Sequence, residues 1–315
     1  MCEYVPIVVS APSIRCDDNL VIITCATPRV TLHYRLNQAG DFKEYEEPFS
    51  ISQDTLVEAY ATYKSQTSST ASETCHYTPE HDYSLDYLTF KALTSGTICW
   101  KAFGSLTKTI DYKVNNGSWT SLTSTAEGAT ISVAKDDVVR FRGSNTAYAT
   151  SKSAYSGFEG GTASIDIEGN IMSLLYGDGF ASNTALTNST YQFCSLFKKA
   201  PVVSARNLVL PATSLKNYCY RAMFSWCTAL AAPPDLPATT LANGCYWYMF
   251  EQCGIMKAPV LNAATLKQEC YGHMFEGCGV LNTIQCYATG GFGTTKCLED
   301  WTKNVAASGM FVKDG

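Results

Sequence analysis

The chain has 315 residues, of which 46% are hydrophobic and 16% charged, with a formal net charge of −5. That is the composition of a folded chain of two or three domains and excludes a disordered one. Residues 1–190 carry 13 Lys and Arg against 21 Asp and Glu, and residues 191–315 carry 10 against 7, so no basic patch is expected, nucleic acid is excluded as a partner, and no apolar run is long enough to span a membrane.

Residues 1–79 read as an all-β module. Val21-Ile-Ile-Thr-Cys25, Val30-Thr-Leu-His-Tyr-Arg35 and Leu56-Val-Glu-Ala-Tyr-Ala-Thr62 alternate or run β-branched, with turn residues between them at 17–19, 37–40 and 65–72. Short strands at this spacing predict a sandwich. The order Pro12-Ser-Ile, Val21-Ile-Ile-Thr, Leu32-His-Tyr-Arg-Leu36, Tyr45-x-x-Pro48-Phe and Val57-Glu-Ala-Tyr-Ala61 resembles the immunoglobulin-like module at the C-terminus of chitobiases. In those enzymes the module is an accessory to catalysis, so the resemblance implies no active site here.

Residues 84–166 read as a second β-sandwich. Its expected strands are Tyr87-Leu-Thr-Phe90, Thr97-Ile-Cys-Trp100, Thr109-Ile-Asp-Tyr-Lys113, Ala129-Thr-Ile-Ser-Val133, Asp137-Val-Val-Arg-Phe-Arg142 and a last one near Ser164-Ile-Asp-Ile167. Asn115-Asn116-Gly117 is a hairpin signal. Gly169-Asn170-Ile-Met-Ser-Leu174 with Gly177-Asp178 is expected to lead from this module into a third region, 167–315, and to cap its first unit.

The third region repeats itself. Cys219-Tyr220-x-x-Met223-Phe224-x-x-Cys227 returns as Cys245-Tyr246-x-x-Met249-Phe250-x-x-Cys253 and as Cys270-Tyr271-x-x-Met274-Phe275-x-x-Cys278, at spacings of 26 and 25 residues. A second phrase keeps the same phase: Leu210-Pro-Ala-Thr-Ser-Leu215, Leu236-Pro-Ala-Thr-Thr-Leu241 and Leu261-Asn-Ala-Ala-Thr-Leu266. A fixed period of this length predicts a solenoid, whose units bury their apolar faces only against one another. Within a unit, Cys, Met and Cys stand at i, i+4 and i+8. That spacing predicts roughly two helical turns with one apolar stripe. The proline-bearing stretches Leu230-Ala-Ala-Pro-Pro-Asp-Leu236 and Ile255-Met-Lys-Ala-Pro-Val-Leu261 suit short extended segments. The expected core is Cys219, Met223, Phe224 and Cys227 with their repeats Cys245, Met249, Phe250, Cys253, Cys270, Met274, Phe275 and Cys278, stacked like on like.

These two phrases and their period resemble the BspA-like leucine-rich-repeat proteins found on the surfaces of gut Bacteroides-type bacteria and in their phages. The resemblance covers about residues 190–290, with a degenerate earlier unit at Phe193-Cys194-Ser195-Leu196-Phe197, a closing half-unit at Leu281-Asn282-Thr283-Ile284-Gln285-Cys286, and a tail around Trp301, Val305 and Phe311 that is similar to the family's ending. Few leucines per unit set this chain apart from the usual leucine-rich pattern. The resemblance implies a place outside the cytoplasm, on a bacterial surface or a phage particle. Residues 1–6 have no basic n-region. A start without a secretory signal would favour the phage, and Cys2 as the remnant of a trimmed lipoprotein signal is the alternative.

Of the fourteen cysteines, nine lie between Cys194 and Cys297 and are expected to be buried thiols acting as small hydrophobes. Cys16, Cys25 and Cys75, in the first β module, are the disulfide candidates, with the pairing open. Structural zinc requires close Cys pairs, and none is present. His273 shares its column with Ala222 and Tyr248, so it is not expected to be a ligand. Asp166, Glu168 and Asp178 are the weak calcium candidates. No nucleophile elbow, HExxH or phosphate loop appears. The acidic residues of the β modules suit solvation better than a glycosidase pair, so neither catalysis nor a cofactor is expected.

Binding remains. Between the fixed core letters the copies carry Arg221-Ala222, Trp247-Tyr248 and Gly272-His273, and then Ser225-Trp226, Glu251-Gln252 and Glu276-Gly277. Changing letters on a fixed core mark columns that face solvent. Arg221, Trp226, Trp247, Tyr248 and His273 are therefore the candidate ligand-binding residues, since exposed Trp and Tyr suit glycan stacking or a protein hot spot. The alternative for Trp226 and Trp247 is packing on a neighbouring loop. The whole reads as two all-β sandwich modules followed by a short solenoid of the BspA-like leucine-rich type: an adhesion or recognition protein for a host or bacterial surface protein or glycan. A structural virion subunit that self-assembles with other virion proteins is the second reading, and an accessory part of a carbohydrate-active enzyme the third.

Overall fold

The computed structural model describes residues 8–17, 19–77 and 81–313; the start read at residues 1–6 lies outside them. The protein is almost entirely β and divides into two compact units, at 81/82.

In the first unit, strands β1 (Ser13–Asp17), β2 (Leu20–Thr24) and β5 (Phe49–Ser50) form one sheet. The other contains β3 (Thr31–Leu36), β4 (Ala39–Glu44), β6 (Thr55–Tyr63) and β7 (Gln66–Thr67), in the order β4-β3-β6-β7, with β8 (Ala71–Cys75) also paired to β6. Alternation in β6 sends Val57 and Ala59 inward to meet Val21 and Ile23 of β2. Layering of this kind is consistent with a sandwich. Cys16 and Cys75 are joined as a disulfide that ties β1 of one sheet to β8 of the other. Cys25, just beyond β2, keeps its thiol and donates it to the Ser10 carbonyl.

The bridge closes a loop of 59 residues, so its reduction is expected to lower the stability of this unit by roughly 4 kcal/mol through the entropy of the unfolded chain. The second unit contains only thiols among the described residues and should not respond. Hydrogen exchange at Val57 and Phe224, with and without reductant, checks both halves; equal loss at the two sites would contradict the assignment.

The second unit opens with β9 (Leu88–Ala92), β10 (Gly96–Phe103), β11 (Thr109–Val114), β12 (Thr120–Thr123), β13 (Ala129–Val133), β14 (Val138–Arg142), β15 (Tyr155–Gly157) and β16 (Ile165–Asn170). A short α1 (Ser173–Tyr176) is the one α-helix among the described residues, and β17 (Val202–Val209) follows. The sheets run β13-β10-β15 and β12-β11-β14-β9-β16-β17. The β11–β12 hairpin turns at Asn115, whose φ is 52°. Phe90, Phe141, Trp100 and Phe158 fill the space between the sheets, with the Phe158 ring centroid 4.7 to 4.9 Å from each of the other three. The boundary expected at 166/167 falls inside β16. That strand pairs on one edge with β9 and on the other, in parallel, with β17 from the repeat region. One hydrophobic core runs from Leu88 to Cys297.

The repeated phrases form no helix. Each sits in a run of tight turns in which every fourth residue has positive φ: Tyr218, Ala222 and Trp226 in the first copy, Gly244, Tyr248 and Gln252 in the second, Glu269, His273 and Gly277 in the third. The same pattern precedes them at Tyr191, Ser195 and Lys199 and follows them at Lys296, Asp300 and Asn304, making five units. Amides alternate in destination. Those of Arg221, Met223, Ser225 and Cys227 close turns onto residues three earlier. Those of Tyr220, Ala222, Phe224 and Trp226 reach across to the carbonyls of Cys245, Trp247, Met249 and Glu251 in the next unit, at 2.7–3.0 Å. A run with period four keeps Cys, Met and Cys on one stripe as a helix would. A helix, however, would spend every amide internally and leave none to join the units.

Like side chains lie over like. Phe197, Phe224, Phe250 and Phe275 stack at 5.2, 5.7 and 5.9 Å, and Phe193, Tyr220, Tyr246 and Tyr271 at 5.8, 5.8 and 6.1 Å. The expected core residues are all 3% exposed or less, each of Met or Phe size adding ~1.5–3 kcal/mol. The second cysteine of each phrase does more than fill space. The thiols of Cys227, Cys253 and Cys278 donate to the carbonyls of Phe197, Phe224 and Phe250 in the preceding unit, at 2.9, 3.1 and 2.9 Å. Extended segments add a parallel ladder through Ser204 and Ala232, then Lys257 and β18 (Thr283–Gln285), and last β19 (Met310–Val312).

The first unit is capped from two sides. β16 covers β17. The loop before and after β15 covers the turns: the Tyr148 and Phe158 amides donate to the Gln192 and Leu196 carbonyls, and their rings stack on Phe193 and Phe197.

Candidate functional site

The turn corners carry the changing side chains, and stacking brings four of the five candidates together. Arg221 lies over the rings of Trp247 and Tyr248, 5.1 and 5.4 Å from their centroids. Trp247 and Tyr248 stack on each other at 5.4 Å, and Tyr248 stacks on His273 at 4.5 Å. Four residues from three successive units, up to 52 positions apart, thus form one cluster along the edge of the stack. Much of its aromatic surface is spent internally: Tyr248 lies against both Trp247 and His273, which are themselves 6.5 Å apart, and all four side chains are half-buried. The Trp247 indole N–H is buried without an acceptor among the described residues.

Trp226 stands apart. It is 46% exposed and takes no ring partner among the described residues. The columns do not all face solvent, since Ala222 and Ser225 are buried, at 4% and 1%. Ser225 instead donates to the Glu251 carboxylate at 2.8 Å.

A charged network closes the cluster's far end. His273 Nδ1 lies 2.7 Å from Glu276 and its Nε2 3.5 Å from Glu299. Lys303 bridges Glu276 and Asp300 at 3.2 and 2.9 Å. Burial pushes the Glu276 carboxyl up, but His273 and Lys303 outweigh it and hold it below the ordinary range. Lys303 likewise lowers Asp300. Atoms of His273, Glu276 and Asp300 lie within 4.8 Å of one another and form the one grouping among the described residues with metal-ligand geometry. The Lys303 ammonium already pairs with both carboxylates, so an ion would have to displace it.

Asp166, Glu168 and Asp178 do not assemble. Glu168 pairs with Lys91 at 2.9 Å, and Asp178 with Arg142 at 2.7 Å and the Tyr87 hydroxyl at 2.9 Å. Arg142 also caps the Trp119 ring at 4.4 Å. Asp166, on β16, is raised by burial.

Glu299, Asp300 and Lys303 were not foreseen as part of this surface, and Glu251 and Glu276 stood in its variable columns without being candidates for binding. The signal for the first three was present: Cys297-x-x-x-Trp301-x-x-x-Val305 keeps the i, i+4, i+8 spacing of a fifth unit after the tyrosine and phenylalanine have gone.

No protein-family model and no curated protein matches the chain. No helix among the described residues is long and apolar enough to cross a membrane.

Proposed function

We propose that this chain is a non-enzymatic recognition protein of the BspA-like leucine-rich-repeat kind, acting outside the cytoplasm on a bacterial surface or a phage particle. Its short solenoid presents the surface that binds a host or bacterial surface protein or glycan, and two β-sandwich modules precede it in the chain. The observation that carries this reading is the division of labour within each repeat: buried columns that stay constant, and turn corners whose side chains change from Arg221 to Trp247-Tyr248 to His273, with Trp226 exposed beside them. A constant scaffold under a changing surface is what recognition uses. The Cys16–Cys75 bridge supports an oxidising compartment, and a cluster whose charged groups are mutually paired supports binding rather than chemistry.

Trp226 is the residue to test, because its ring is the accessible one. Trp226→Ala is expected to leave stability within about 0.5 kcal/mol and to weaken binding to a panel of immobilised glycans and cell-surface proteins at least tenfold, the effect of a hot-spot residue. Binding unchanged by both Trp226→Ala and Arg221→Ala would defeat the reading, as would turnover in a glycosidase screen.

A further inference from the structure

The two ends of the repeat stack are not alike. At its start the first unit is covered. At its finish the fifth unit presents the same surface that every earlier unit buries against a successor. The amides of Glu269, Tyr271, His273, Phe275 and Gly277 donate to Thr295, Cys297, Glu299, Trp301 and Lys303. The equivalent amides of the last unit are those of Lys296, Leu298, Asp300, Thr302 and Asn304, and among the described residues they meet no acceptor. β19 pairs only with β18 among the described residues, so its other edge is open. Between them lies a groove of about 340 Å³ lined by Leu281, Ile284, Trp301, Val305, Met310 and Phe311. Met310 and Phe311 are 64% and 56% exposed, with Phe292 at 52% in the same stretch of chain. Large exposed apolar side chains beside an unpaired strand edge mark an interaction site.

We propose that this open end docks a polypeptide segment of another protein, which adds as a sixth unit. The segment would pair with the edge of β19, set apolar side chains into the groove against Trp301 and Phe311, and offer carbonyls to the row of five amides. At β19 this is strand addition, and along the amide row it continues an interface the chain already makes four times within itself. The hydrogen-bond polarity selects the occupant. A second copy could not supply the carbonyls from its own first unit, where Tyr148 and Phe158 already occupy Gln192 and Leu196. Two open ends face to face would set donors against donors.

The site is distinct from the Arg221–His273 cluster and does not depend on it. The probe is a labelled synthetic peptide of residues 294–313 carrying Cys297→Ala, which has the carbonyl pattern of a repeat unit, titrated against the full chain. The expected result is saturable anisotropy, with exchange at the Lys296, Leu298, Asp300, Thr302 and Asn304 amides slowed at least tenfold. Phe311→Asp and Met310→Asp, at exposed positions, should each weaken binding at least tenfold, and Trp226→Ala should leave it unchanged. No saturation up to millimolar protein would overturn the proposal. So would binding that survives both aspartates, or a concentration-dependent dimer in light scattering that protects the same five amides without peptide.

Discussion

Phe224→Ala is expected to destabilise the unit spanning residues 82–315 by about 3–5 kcal/mol, the range for truncating a fully buried phenylalanine. Phe224 is 0% exposed and lies between Phe197 at 5.2 Å and Phe250 at 5.7 Å, so its loss opens a gap in the middle of a column. Neighbours cannot collapse into that gap easily. Their spacing is set by backbone bonds between units, such as Phe224 to Met249 at 2.9 Å. The Phe column continues through Phe197 to Phe158 and Phe90 in the β module, and the damage should therefore spread beyond the repeats. Urea unfolding followed at Trp100 and by far-UV circular dichroism should show one shifted transition. A Phe224→Ala protein whose Trp100 signal keeps its original midpoint would mean that repeats and β module unfold separately.

Alkali is expected to unfold the same unit well before it affects most folded proteins. Burial pushes the Cys219, Cys270 and Cys278 thiols up to about 12 from an ordinary value of 9.0, and raises Cys245 and Cys253 as well. A thiol whose pKa is raised in the folded state stabilises that state fully below pH 9. Above pH 9 the unfolded chain releases protons that the folded chain still holds, so stability falls until the folded pKa is passed. Each such group removes about 1.4 kcal/mol per pH unit, and these three together remove roughly 8 kcal/mol by pH 11. That is comparable with the whole stability of an ordinary domain, about 5–15 kcal/mol. The observable is alkylation of Cys219, Cys270 and Cys278 by iodoacetamide against pH, read peptide by peptide in a mass spectrometer. It should stay negligible past pH 9 and then rise in one step together with loss of circular dichroism. A smooth rise centred near pH 9 with structure intact would show that these sulfurs are open to water.

Both predictions rest on columns that were legible in the sequence, because burial in a stacked repeat demands the same side chain at the same phase. The β strands were legible for a similar reason. Alternation in Leu56 to Thr62 and in Asp137 to Arg142 records which face meets a core, whichever strands lie alongside. The backbone of the repeat was not legible. Over nine residues, a stripe at i, i+4 and i+8 fits a period of 3.6 and a period of 4 equally well. What separates them is where the amides of Tyr220, Ala222, Phe224 and Trp226 find acceptors, and those acceptors lie in the next unit. The fifth unit went unseen because Leu298 and Thr302 hold the places of Tyr and Phe, and Trp301 that of Met.

The candidate site divides in the same way. Repetition pointed to Arg221, Trp226, Trp247, Tyr248 and His273 by their variability alone. That Tyr248 would lie flat on His273 while Trp226 stayed alone depends on the lateral offset between units, which no single unit encodes. Among Cys16, Cys25 and Cys75, the choice of Cys16 with Cys75 follows from two sheets facing each other across the β1–β8 contact. By itself, then, the sequence determined the period of the repeat, the side chains that line its interior and the strand pattern of the β modules, since each is a local record of burial. Only the tertiary structure decided that the repeat is turns and not helix, which surface aromatics cover one another, and which end of the stack has amides without acceptors among the described residues. Those outcomes depend on hydrogen bonds and ring contacts between residues about 25 positions apart, where the partner rather than the residue itself settles the conformation.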